Sequence, residues 1–86
     1  MVIETTKAFD KQYAKLNIKV KNAFKSRIEI FKSNPFETGL RNHALKGKYL
    51  GYRSIDITGD VRALYTIEGD LVIIFGLIGT HSQLYK

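Results

Sequence analysis

Residues 61–78 read Val-Arg-Ala-Leu-Tyr-Thr-Ile-Glu-Gly-Asp-Leu-Val-Ile-Ile-Phe-Gly-Leu-Ile, and this stretch decides the fold. Two β-prone runs flank the turn residues Glu68-Gly69-Asp70, which predicts a hairpin. Leu71 to Ile78 is apolar on both faces, so it belongs in the middle of a sheet with both sides covered. Just upstream, Tyr49 to Ile57 alternates. Arg53, Ile55 and Ile57 fall on one face, and Tyr52, Ser54 and Asp56 on the other. Thr58-Gly59-Asp60 turns that strand into the next. The second half of the chain is therefore a meander of three antiparallel strands.

The first half has a helical period. Thr6 can cap a helix whose Phe9, Tyr13 and Leu16 lie on one face. Asn17 can cap a second, where Val20, Ala23, Phe24, Ile28 and Phe31 form an apolar stripe. Arg27 falls inside that stripe and must snorkel or find a partner. Lys21, Lys25 and Lys32 lie on its flank. Asn34-Pro35 ends the helix, because a residue before proline is pushed out of the α region. Val2 to Thr5 is a short edge strand, and residues 36–48 form a polar loop. The order β-α-α-β-β-β gives an α+β fold, with an antiparallel sheet packed on an N-terminal helical hairpin. With 86 residues there is room for one domain, residues 1–86.

Fourteen Lys and Arg against eight Asp and Glu give a net charge of +6, and the pI is near 9.7. Such an excess on a small domain is the electrostatic footprint of a polyanionic partner. There is no cysteine, which removes disulfides, thiolate metal sites and a cysteine nucleophile together. The two histidines have no acidic spacing motif beside them, so no metal site and no cofactor is expected. No signal peptide is visible and no apolar run spans a bilayer, which predicts a cytoplasmic protein without a membrane partner.

What remains for chemistry is a scatter of proton-carrying and cationic groups in the second half: His43, Lys46, Lys48, Arg53, Asp56, Asp60, Arg62, His81 and Tyr85. RNA cuts itself when a 2′-hydroxyl attacks the neighbouring phosphate. A protein assists with a base, an acid for the leaving oxygen, and cations for the phosphorane charge. Imidazole suits both proton roles and guanidinium suits the third.

Four segments occur in a telling order: His43-Ala44-Leu45-Lys46-Gly47, Gly51-Tyr52-Arg53-Ser54-Ile55-Asp56, Asp60-Val61-Arg62-Ala63-Leu64-Tyr65 and Gly79-Thr80-His81-Ser82-Gln83-Leu84-Tyr85. Together they resemble the RelE superfamily of bacterial toxins, and within it the YafQ-type members most. The likeness runs over essentially the whole chain. It implies an endoribonuclease that cuts messenger RNA in the ribosomal A site and arrests translation and growth. It also implies a cognate antitoxin that silences the free, monomeric toxin. Carried over by position, His43 is a proton-transfer or phosphate-binding group and Asp60 an acidic member of the catalytic set. Arg62 stabilises the transition state, His81 is the general acid, and the Tyr85 ring stacks on a base. Arg41, Lys46, Lys48 and Arg53 would grip RNA phosphates.

Three positions depart from that pattern. Asp56 stands where YafQ-type members carry a second histidine, Leu77 where they carry an arginine, and Val61 where they carry an aromatic. The first exchange opens a carboxylate as base. The second leaves Arg62 or Arg53 to supply the lost cation. A rival reading is a binding protein without hydrolysis, held by an antitoxin or poisoning another target as the related ParE toxins do with gyrase. Catalysis needs His43, Asp60, Arg62 and His81 on one face; the two histidines on opposite faces would favour the rival.

Overall fold

Thr6 and Asn17 start the two helices because each supplies an acceptor to an otherwise orphaned amide. In the computed structural model, which describes residues 1–85, the Phe9 amide donates to the Thr6 hydroxyl at 3.0 Å. The Val20 amide donates to the Asn17 side chain at 3.0 Å. Helix α1 spans Lys7–Ala14 and α2 spans Ile18–Ser33, ending just before Asn34-Pro35. Arg27 leaves the apolar stripe by donating to the Gly39 carbonyl at 3.3 Å.

The strands are β1 Val2–Thr5, β2 His43–Ala44, β3 Arg53–Asp56, β4 Val61–Glu68 and β5 Val72–Thr80. They form one sheet in the order β1-β5-β4-β3-β2. The meander β3-β4-β5 is antiparallel, and β5 has a neighbour on each side, as its apolar run requires. β1 is an edge strand, but it runs parallel to β5, so the sheet is mixed rather than wholly antiparallel. A parallel pair needs a long connection between its strands, and here the helical hairpin forms part of it.

Three local features differ from the expected pattern. Residues 36–48 are not all loop: Thr38–Leu40 is a 3-10 turn, and β2 adds to the sheet beside β3. Strand β3 begins at Arg53 instead of Tyr49. Gly47 and Gly51 have φ of 64° and 98°, so the intervening chain curls through a second 3-10 turn, Gly47–Tyr49. The tail extends β5 to Thr80 and then makes one helical turn, α3, His81–Leu84. Thr80 and Gln83 hold that turn with a reciprocal capping box.

The helices cover one face of the sheet. Phe31 is fully buried and meets Tyr65 edge-on at 5.1 Å and Phe75 at 5.8 Å. Phe9 and Phe24 complete the aromatic centre against Phe75. Beyond its pairing with β1, the open edge of β5 is satisfied by side chains from around α1. The Thr6 hydroxyl donates to the Gly76 carbonyl at 2.9 Å, and Gln12 Oε1 accepts from the Ile78 amide at 2.9 Å. These contacts fix the half of β5 that leads into α3.

Candidate active site

Cross-strand register assigns the second face. His43 is opposite Ser54, Ser54 opposite Leu64, and Leu64 opposite Leu77. The next row toward the end of the sheet is Asp56, Arg62 and Gly79. Residues opposite one another project from the same face, and the flanking positions Ala63, Tyr65 and Phe75 already lie in the core under the helices. His43, Asp56 and Arg62 therefore share the face that the helices leave open. His43 and Asp56 are diagonal neighbours, roughly 7–8 Å apart at the backbone.

The same end of the sheet receives the remaining groups. The last pair of the β4–β5 ladder is Val61 with Thr80, so Asp60 and His81 are the residues at which the two strands leave it. α3 folds back over this face: a Cβ added at Gly79 would lie 2.9 Å from Gln83 and 3.7 Å from Leu84. Leu84 and Leu64 are both buried, outside the main core.

His43 is exposed, and its Nδ1 lies 2.8 Å from the Arg41 carbonyl. A carbonyl only accepts, so Nδ1 carries the hydrogen and Nε2 is the basic nitrogen of the neutral ring. His81 is also exposed and stacks on Tyr85, with ring centroids 4.7 Å apart and an interplanar angle of 26°. Tyr85 in turn meets Tyr49 edge-on at 5.2 Å. The Tyr49 hydroxyl donates to the Leu84 carbonyl, and Lys48 Nζ donates to the same oxygen at 3.3 Å. Tyr49 and Lys48 thus hold the end of α3 and set where His81 and Tyr85 stand. Tyr49→Phe is expected to cost about 1 kcal/mol and to broaden the His81 ring resonances. An unchanged Tm and spectrum would mean that α3 stands without this contact.

Arg62 is anchored from two sides. Its Nε lies 2.9 Å from Asp56 Oδ1. Its Nη1 donates to the carbonyls of Thr58 and Gly59 at 3.2 Å each, and to that of Val61 at 3.4 Å. Arg41 Nε is 3.5 Å from the other Asp56 oxygen.

The structure gathers His43, Asp60, Arg62, His81 and Tyr85, with Arg41 tied in through Asp56, at one end of one face. Arg53 stands elsewhere. It is paired with Tyr65 in register, on the helix side. There its Nε donates to Asn42 at 2.8 Å and its guanidinium lies over Phe36 at 5.3 Å. Asn42 in turn donates to Pro35 and Tyr65, so Arg53 braces the loop. Lys46 is exposed at the start of the Gly47–Tyr49 turn. Lys48 is engaged with α3. No enclosed pocket forms among the described residues, and the groups sit on an open surface.

The profile of the bacterial YafQ toxins of type II toxin–antitoxin systems matches residues 1–86. The chain belongs to the YafQ family. Among solved structures it is similar to YafQ from E. coli, with 26% identity and a TM-score of 0.80 over 98% of this chain and 97% of that one. The toxin in the E. coli DinJ–YafQ toxin–antitoxin complex superposes with a TM-score of 0.78 at 26% identity, covering 98% and 96% of the two chains. A YoeB/ParE toxin from Agrobacterium tumefaciens shares the fold at 22% identity and a TM-score of 0.77, over 94% and 99%. No curated protein matches by sequence. This YafQ-family chain is thus a toxin of a type II toxin–antitoxin system. No helix among its described residues is long and apolar enough to cross a membrane.

Proposed function

We propose that this toxin is a metal-independent endoribonuclease that cuts messenger RNA in the ribosomal A site. His43 Nε2 takes the proton from the attacking 2′-hydroxyl. Arg62 neutralises charge on the phosphorane, and His81 protonates the leaving 5′-oxygen. Tyr85 orders the His81 ring and offers its own face to a base. Asp60, where β4 enters the sheet at the same end, is the acidic member of the set. The observation that carries this reading is the placement of His43, Arg62 and His81 at one end of one sheet face, with the tautomer of His43 set by a backbone carbonyl. An open face suits single-stranded RNA presented by a larger particle.

Charge placement supports that presentation. The helical hairpin, residues 7–33, holds eight Lys and Arg against two carboxylates, so it carries the entire net charge of +6. The rest of the chain is balanced. The hairpin covers the sheet face opposite the site, so it can bind the phosphates of structured RNA while the site faces the message. Changing Lys11, Lys15 and Lys19 together to Gln is expected to reduce ribosome affinity and lower the salt slope by about 3. Turnover of already bound message should be unaffected. An unchanged salt slope would mean that the hairpin faces only solvent.

A cognate antitoxin silences the toxin, as DinJ pairs with YafQ in the E. coli complex, and the free toxin acts as a cytoplasmic monomer. Inducing the chain in bacteria and mapping transcript ends tests the function. Growth arrest with cuts in phase with codons is the expected result. Arrest without new transcript ends would favour a ParE-like target instead.

A further inference from the structure

Asp56 is the acidic centre of a three-residue cluster. Its side chain is only 13% exposed, yet it faces two guanidinium groups: Arg62 at 23% exposure and Arg41 at 72%. Both contacts use Nε, one on each carboxylate oxygen. The terminal nitrogens of Arg41 are thus not the atoms that pair with the carboxylate, and its side chain is largely exposed. Arg41 has φ of 50°, the only non-glycine residue with positive φ among those described. A branch-free but bulky residue rarely adopts this left-handed conformation. It holds the Arg41 side chain at Asp56 while the Arg41 carbonyl receives His43 Nδ1.

The chemistry of the cluster points away from proton transfer by Asp56. Each carboxylate oxygen of Asp56 already faces a guanidinium nitrogen, so the side chain is turned to the arginines rather than to an attacking hydroxyl. Two cations and one anion leave the cluster with a single positive charge, the complement of one phosphodiester. Guanidinium groups hold phosphate oxygens well only when their planes are fixed.

We propose that Asp56 is a positioning residue that aligns Arg41 and Arg62 as a two-guanidinium clamp for the scissile phosphate. The assignment rests on the RNA-cleaving reading of this face and adds Arg41 beside Arg62 at the phosphate, with Asp56 acting through both. Arg41 contacts the phosphate on the exposed side and Arg62 from the sheet. Asp56 stays behind both, out of reach of the 2′-hydroxyl.

A kinetic split separates positioning from proton transfer and from simple damage to the fold. In Asp56→Ala, kcat is expected to fall about 100-fold. At equal folded fraction KM should drop, because removing an anion strengthens the attraction for RNA. A variant that is merely unfolded in part has no reason to show a lower KM. In the Arg41→Ala/Arg62→Ala background, adding Asp56→Ala is expected to cost about threefold or less, since the groups it positions are gone. A full 100-fold further loss there would overturn the proposal and make the carboxylate a participant in the reaction. Asp56→Asn keeps an acceptor for Arg62 without the charge. It is expected to lose about tenfold in kcat, and it serves in place of the alanine variant if that one does not fold.

An NMR readout is independent of cleavage. The Arg62 Nε–H should exchange slowly with solvent in the native toxin and rapidly in Asp56→Ala or Asp56→Asn. Equal exchange in all three would also overturn the proposal. If the native toxin cuts no RNA under any condition, the function proposed above fails. The exchange rates then still decide whether Asp56 holds the arginines.

Discussion

Replacing His81 by alanine should lower the rate of RNA cleavage by about 10²–10⁴-fold and abolish growth arrest at equal expression. The expectation follows from position. His81 is exposed at the first turn of α3 and takes no part in the core. Its ring stacks on Tyr85, and it stands where β5 leaves the sheet, two residues past the partner of Arg62. Loss of the imidazole therefore removes a proton donor from the site and leaves the core intact. His81→Phe sharpens the test, because it keeps a ring against Tyr85 and removes only the acid. Both variants should melt close to the native Tm and both should be inactive. If His81→Phe cleaves like the native toxin, stacking is the whole role of this residue and the acid lies elsewhere.

Replacing Arg62 by alanine should reduce kcat by about 10²–10³-fold with a much smaller change in RNA affinity. Charge develops on the phosphorane during attack, so a guanidinium fixed beforehand acts mainly on the transition state. Arg62 is fixed beforehand: Asp56 holds its Nε, and three carbonyls of the Thr58–Val61 turn hold its Nη1. The same anchoring means that this variant also loses stability. It leaves turn carbonyls and part of Asp56 without a donor, which costs roughly 1–3 kcal/mol. Activity must therefore be compared at equal folded fraction. Arg62→Lys provides the control, since it keeps the charge and cannot reproduce the fork. It should recover RNA affinity fully and kcat only in part. Equal losses in affinity and kcat for Arg62→Ala would place the residue in ground-state binding.

Much of the fold was legible because the strong signals were local. The caps at Thr6 and Asn17, the helical stripe through Phe24 and Phe31, the proline stop and the doubly apolar β5 each rest on a few neighbouring residues. Segregation of helices from strands then left little choice of class. The parallel pairing of β1 was not legible. Val2–Thr5 reads as an edge strand in either direction, and only the path of the helical hairpin decides which. α3 was missed although Thr80 and Gln83 have capping-box spacing, because a single turn has no period to detect. The strand start at Tyr49 failed because two glycines with positive φ break an alternation that the side chains alone suggest.

The site was legible in the same uneven way. His43, Asp60, Arg62, His81 and Tyr85 were marked by their segments, and the fold brings them to one end of the sheet. Arg53 was grouped with them because it too is a strand arginine, but it lies three positions, an odd offset, from Arg62's partner, Asp56. In a strand, that places Arg53 on the opposite face. The engagement of Lys48 and Tyr49 with the end of α3 depends on a contact across 35 or more residues. The left-handed conformation of Arg41, which links His43 to Asp56, follows from the 3-10 turn before it and has no mark in residue type.

The chemistry of the cut ends distinguishes attack by the 2′-hydroxyl from metal-assisted hydrolysis by water. Purified toxin would be added to ribosomes programmed with a defined message, and the termini identified after each cut, with and without a chelator. Attack by the 2′-hydroxyl predicts a 2′,3′-cyclic phosphate and a 5′-hydroxyl, unaffected by the chelator and absent with His81→Ala. A 5′-phosphate, or cleavage that stops when divalent ions are removed, would contradict the account.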